Sequence, residues 1–270
     1  MLAKKKTKVG EQSNVRFING FVSLGPVTLN VYCFEIDGVL IDTGAKSILN
    51  AFKPFFEEMD VDQVMITHNH EDHTGAAAYL QKHYHLPVFM NDISIAEGKE
   101  KASYPLYRKI FWGVRDPFQA VPIEKTFDSR HATWDVITTP GHKEDHLSFL
   151  NRETGQLFSG DLYVHPKTKV ILRNESIPTI IDSLRKMLTF DMGEMFCCHA
   201  GYVQDGKKAL HKKLDYLTSF QEEVIYLHNK GWKEKEIKHK MFHKKYPITY
   251  LSQGEWNSSH MIRSILTEET

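Results

Sequence analysis

The 270-residue chain reads as an α/β fold, a layered sandwich of alternating strands and helices that passes into a helical extension. Three observations predict it. Short apolar runs recur and end in glycine or a polar turn, as buried strands do. Helical spacing of apolar residues fills the intervals between them. After His199 the pattern changes to a long helical stripe, with apolar residues at 210, 214, 217, 220, 224 and 227.

Taken in order, residues 30–42 read as a hairpin turning at Asp37-Gly38, a dipeptide suited to the positive φ that twisted strands require. Residues 47–59 look helical, with Ile48, Leu49, Phe52 and Phe56 on one face. A strand over 61–66 leads into a histidine-rich loop, a helix runs through 75–80, and 86–90 supplies another strand. Residues 97–127 break the rhythm with six aromatics, among them Tyr104, Tyr107, Phe111 and Trp112, while Pro105, Pro117 and Pro122 interrupt any long helix. This insertion is expected to act as a lid with an aromatic wall, or else to pack as a helical layer on the sandwich. Arg108, Lys109 and Arg115 within it are candidates to meet an anionic substrate. Beyond Gly206 come three helices, over 206–230, 233–242 and 258–266. The expected division is a catalytic domain over 1–205 and a helical extension over 206–270.

Composition narrows the function. Lysine plus arginine equals aspartate plus glutamate at 34 each, so no overall field favours nucleic acid. The basic run from Lys4 to Lys8 is expected to be a frayed, soluble terminus. No signal-like segment follows it, and no apolar run approaches the roughly twenty residues of a membrane span. Three cysteines (Cys33, Cys197, Cys198) make no disulfide framework, and a cytoplasmic setting is the expectation.

The most informative stretch is His68-Asn69-His70-Glu71-Asp72-His73. Imidazole nitrogens and carboxylate oxygens are the donors that zinc and similar metals accept. In an extended segment His68 and His70 point to one side, and a following turn can carry Asp72 and His73 to a second position. Half of a two-metal site is implied. The other half comes from three strand ends: Thr138-Thr139-Pro140-Gly141-His142, Ser159-Gly160-Asp161 and Cys197-Cys198-His199. Strand ends on one edge of a sandwich converge, so these residues are expected to share a site. The remaining histidines fall in no ligand pattern; His146, four residues after His142, is expected to support the site rather than ligate.

This arrangement resembles the metallo-β-lactamase superfamily in its dinuclear hydrolase branch, with glyoxalase II, lactonases and related thioesterases. The motifs follow the superfamily's order between about Val15 and Gly201. The resemblance implies a four-layered αββα sandwich. It implies that His68, His70 and His142 bind one metal, that Asp72, His73 and His199 bind a second, and that Asp161 bridges them. Asp42, in Asp42-Thr43-Gly44, either orients a ligand histidine, as its equivalent does in the family, or is a simple turn carboxylate. Aspartate at 161 stands where zinc β-lactamases use cysteine, and His70 is not the glutamate of the di-iron oxidoreductase relatives. Antibiotic hydrolysis and redox chemistry are therefore not expected. The long inserted domain of nucleic-acid-cleaving relatives has no room here.

The expected cofactors are two divalent metal ions, zinc first, with iron and manganese as alternatives. Two metals about 3.5–4 Å apart hold a water between them and lower its pKa, giving a bridging hydroxide that attacks a carbonyl. Asp72 would hold that hydroxide and pass its proton to the leaving group. Tyr163 is a candidate hydrogen-bond donor to the oxyanion. The expected function is hydrolysis of a thioester, lactone or similar small activated acyl substrate, with no nucleic-acid or membrane partner. A phosphodiesterase using the same two metals is the alternative; a metal-binding protein without turnover and a single-iron oxygenase are more remote. Oligomeric state is left open, a homodimer through lid or tail being analogy alone.

Overall fold

The computed structural model describes residues 3–268. Seven strands form the first sheet in chain order: β1 (Lys4–Gln12), β2 (Val15–Leu24), β3 (Val27–Ile36), β4 (Gly38–Ile41), β5 (Val61–Met65), β6 (Val88–Met90) and β7 (Val121–Pro122). The second sheet contains β8 (Thr126–Asp128), β9 (Thr133–Thr138), β10 (Leu147–Asn151), β11 (Leu157–Phe158), β13 (Met195–Cys197) and β14 (Gly201–Val203). A small ribbon pairs β12 (Ile171–Leu172) with β15 (Trp256–Asn257). Helices α1 (Leu49–Glu58), α2 (Glu71–Thr74), α3 (Ala77–Tyr84), α4 (Ile95–Lys99) and α5 (Leu106–Trp112) fall within the first half. The second half contributes α6 (Ile177–Met187), α7 (Gly206–Asn229), α8 (Glu234–Met241), α9 (Pro247–Leu251) and α10 (Ser258–Glu268).

Strand alternation divides the buried residues into three cores and so builds the αββα sandwich. On β3, Val31 and Cys33 face helices α1, α3 and α5, where Phe52, Phe56, Leu80 and Phe111 meet them. From the same strand Phe34 and Ile36 point the other way, to Trp134, Phe149, Phe158 and Phe196 of the second sheet. The outer face of that sheet presents Ile137, Leu157 and Met195 to α6, α7, α8 and α10. The expected stripe on α7 lies in this outer core, with Leu210, Leu217, Phe220, Val224 and Leu227 buried.

The β3–β4 turn has φ of 46° at Asp37 and 80° at Gly38, the conformation expected of that dipeptide. The amino terminus departs from expectation. Residues 4–8 are not a frayed end but the start of β1, paired antiparallel with β2 from Lys4↔Ser23 to Gln12↔Val15. Its residues are nearly all exposed, so no buried alternation marks it. Lysines on an edge strand discourage further pairing, which explains a basic sequence in a strand.

The 97–127 segment both packs and overhangs. Phe111, Trp112 and Phe118 enter the first helix–sheet core, while Tyr107, Arg108 and Trp112 line the cavity over the candidate ligands. Two of its cations are already engaged. Arg108 makes a bidentate pair with Glu71 at 2.6 and 2.5 Å, and Arg115 is buried, donating to the carbonyls of Glu97, Gly98 and Glu100. Neither is the free anion receptor that the sequence suggested.

Candidate metal centre

All seven candidate ligands come from segments that follow strands of the two sheets. The segment 68–70 follows β5, and α2 carries Asp72 and His73 on a short helix where a turn was expected. His142 follows β9, Asp161 follows β11 and His199 follows β13. Ligating-type atoms of His68, His70 and His142 lie within 4.8 Å of one another, as do those of Asp72, His73 and His199. Asp161 joins both groups: its carboxylate is 3.3 Å from His142 Nε2, 3.6 Å from His73 Nε2 and 3.0 Å from His199 Nε2.

Four of the five candidate ligand rings are held through Nδ1, leaving Nε2 to face inward. His73 Nδ1 donates to Asp42 Oδ2 at 2.7 Å, and His142 Nδ1 to Glu175 Oε2 at 3.2 Å. His199 Nδ1 donates to the Asn30 carbonyl, and His68 Nδ1 lies 3.1 Å from the Thr67 hydroxyl. Inside the cluster, His70 Nδ1 sits 3.0 Å from both His68 Nε2 and His142 Nε2. One proton cannot satisfy three converging lone pairs, whereas a cation can. His73 Nε2 and Asp161 Oδ1 are buried and have no hydrogen-bond partner. These orphaned donors and the nitrogen–oxygen ligand set fit metal ions.

Protonation follows charge and burial. Burial and the neighbouring imidazoles push His68 and His70 well below the usual histidine range. Burial also works against charge on His73, but Asp42, Asp72 and Asp161 outweigh it and raise that ring to about 9. At His199 the same opposition is won by Asp161, to about 10. Burial opposes charge on Asp161 too, yet His199, His73 and His142 hold its carboxyl well below the carboxylate range.

Beneath the cluster, Asp42 accepts from the Thr67 amide and hydroxyl at 2.8 Å each and from the Cys198 thiol at 3.0 Å, as well as from His73. It therefore orients a candidate ligand from a strained turn with φ of 58°. His146 points its Nε2 at the backbone N–H of Asp161 and donates through Nδ1 to Thr139. Burial drops it to about 4. Tyr163 takes a different place from the one expected: its ring packs against the outer core and is not among the cavity-lining residues. Two contributors had no sequence signal. Glu175 has no motif around it, and Lys213 is one of four lysines, at 207, 208, 212 and 213, that form no readable pattern in the sequence, yet both are buried beside the cavity.

The metallo-beta-lactamase superfamily model matches residues 27–199, and the chain belongs to that superfamily. It is 31% identical over 178 residues to thioesterase pkgB of Emericella nidulans, covering 64% of this chain and 44% of that protein. It is 24% identical over 168 residues to an atrochrysone carboxyl ACP thioesterase of Passalora fulva, covering 61% and 44%. The chain thus spans under half the length of these two curated relatives. Among solved structures, a metallo-beta-lactamase family protein from Thermus thermophilus superposes with a TM-score of 0.68 at 17% identity, covering 95% of this chain and 94% of that one. At that identity the likeness concerns the fold.

Proposed function

We propose that the protein is a metal-dependent hydrolase of activated acyl compounds, thioesters before lactones, in the thioesterase and glyoxalase II-like part of the superfamily. The observation that carries this reading is the pair of ligand triads sharing Asp161 at the floor of a cavity of about 370 Å³. His68, His70 and His142 would hold one ion, Asp72, His73 and His199 the other, with Asp161 between them. Zinc is proposed first; the donors also suit iron and manganese. Bound there, the ions would supply Lewis acidity and a water acidic enough to act near neutral pH.

The chain's own residues do the rest. Held through Nδ1, the rings of His73, His142 and His199 keep Nε2 aimed into the cluster, so they need not turn to reach an ion once that nitrogen has lost its proton. Asp72 lines the cavity, 3.8 Å from His73 Nε2 and 3.7 Å from His199 Nε2, where its carboxylate can take a proton and return it to a leaving group. Tyr107, Trp112 and Trp256 give the cavity an aromatic wall that displaces water from the acyl chain.

The same wall favours acyl over phosphodiester substrates. Arg108 is the one arginine lining the cavity among the described residues, and Glu71 already occupies it. Two relatives named as thioesterases support the choice. The test is turnover by metal-loaded protein of a glutathione thioester, an acyl lactone and an aryl phosphodiester, with Asp161→Ala as the contamination control. Acyl turnover that disappears in the variant is expected. Turnover of the phosphodiester alone would transfer the function to the alternative, and silence with two metals bound would leave a metal-binding protein.

A further inference from the structure

Two departures from the ordinary coincide at Val164. The first is its backbone, with φ of +49° in the left-handed region. The other non-glycine residues found there, among those described, are Ser13, Asp37, Asp42, His85 and Gln253. Val164 is the β-branched member of the set, and a β-branched side chain clashes most with its own backbone in that region. His165 donates to the Tyr163 carbonyl at 2.5 Å, closing a three-residue turn centred on Val164. A turn of this size with positive φ at its centre is rare and strained.

The second departure is exposure. Val164 is 38% exposed, and of the exposed large apolar residues among those described it is the one that lines the cavity over the candidate ligands. It belongs to none of the three cores. Its turn is nevertheless held firmly. The Val164 amide donates to Cys197 Sγ at 3.3 Å, and Lys213 Nζ donates to the carbonyls of Leu162 and Tyr163 at 2.8 and 2.7 Å. These anchors tie the turn to the residues just after Asp161 and to the strand just before His199, which fixes Val164 relative to the ligand set. Glycine would adopt the same backbone without strain, and the chain uses glycine so at Gly160, where φ is also +49°. Valine at 164 therefore costs stability while its side chain joins no core. Strain of this kind persists where the surrounding structure enforces it, and it gathers at ligand sites.

We infer that Val164 is a specificity-determining residue, whose strained turn presents its isopropyl group to the cavity as a contact for an apolar acyl chain. The words acyl chain rest on the hydrolase reading above; the apolar contact does not. Tyr107, Trp112 and Trp256 line the same cavity, and a chain lying among them and Val164 would remove apolar surface from water. A valine that served only to shape the turn would leave ligand preference untouched when replaced.

The experiment compares hexanoate with acetate by calorimetric binding to metal-loaded protein, and the hexanoyl with the acetyl thioester of N-acetylcysteamine by kcat/KM. Two variants separate contact from strain. Val164→Gly removes both; Val164→Thr keeps the shape and the strain and exchanges one methyl for a hydroxyl. The wild type should prefer the longer chain, and both variants should lower that preference about tenfold, the scale of a methylene in an apolar pocket. Val164→Gly should also melt no lower than the wild type, although glycine in a loop ordinarily lowers stability. Equal binding of the two carboxylates by the wild type, a preference unchanged in both variants, or a glycine variant that melts well below the wild type overturns the inference. A binding preference that falls in the variants of a protein cleaving neither thioester would instead overturn the hydrolase reading and leave the Val164 contact standing.

Discussion

The imidazole of His146 accepts the backbone N–H of Asp161 at 2.8 Å, so the carboxylate shared by both triads is aimed by a histidine outside the ligand set. Gly160 makes that contact possible: its φ is +49°, and a Cβ there would come within 2.5 Å of His146 Nε2.

His146→Ala leaves the Asp161 amide buried without an acceptor. The expected loss is about 1–3 kcal/mol of stability together with weaker metal retention. Denaturant titration and metal analysis after dialysis measure both. A variant that keeps full metal content and wild-type stability rules out the positioning role.

Asp42→Asn keeps the size of the side chain but cannot accept equally from His73, Thr67 and Cys198. Losing a partner that orients a ligand typically costs about 10- to 100-fold in metal affinity. Competition with a chromogenic chelator reads this directly, and an affinity within twofold of wild type would count against it.

Metal uptake should release protons. Without metal, His73 and His199 are raised to about 9 and about 10, above the ordinary 6.5, and are charged at pH 7. The stability they contribute to the metal-free protein is complete below pH 6.5 and is lost as pH rises through 9 to 10. Bound metal requires both rings neutral, so affinity should strengthen with pH across the same window. Heats of metal binding in buffers of different ionisation enthalpy count the protons; identical heats in all buffers would refute the prediction.

Arg108→Met strands Glu71, which is 3% exposed and sits between His70 and Asp72. Removing one partner of a buried pair costs about 3–5 kcal/mol. The melting temperature should fall accordingly, and more than for Arg152→Met, whose partner Asp135 lies at the surface. Equal losses in the two variants would show that the Arg108 pair is no more than a surface contact.

The candidate ligands were legible because each stands at a strand end beside a local signature: Pro-Gly before His142, Ser-Gly before Asp161. The helices beyond Gly206 announced themselves by period. What was hidden depends on contacts distant in sequence. Glu175 reaches His142, and Lys213 reaches Leu162, only after the sheets have packed. Strand β1 was missed because exposure on both faces removes alternation, the signal by which strands are read. Asp42 was ambiguous for a physical reason: it is both a turn residue with positive φ and the anchor of His73.

Helix α7 buries its apolar side in the outer core and extends Lys213 to the two residues after Asp161. Chain more than fifty positions downstream therefore finishes the wall of a pocket whose donors were all in place by His199. A fragment ending before α7 would keep every donor and lose that support. Synthesis of the candidate donors thus precedes synthesis of the residue that completes the wall beside them.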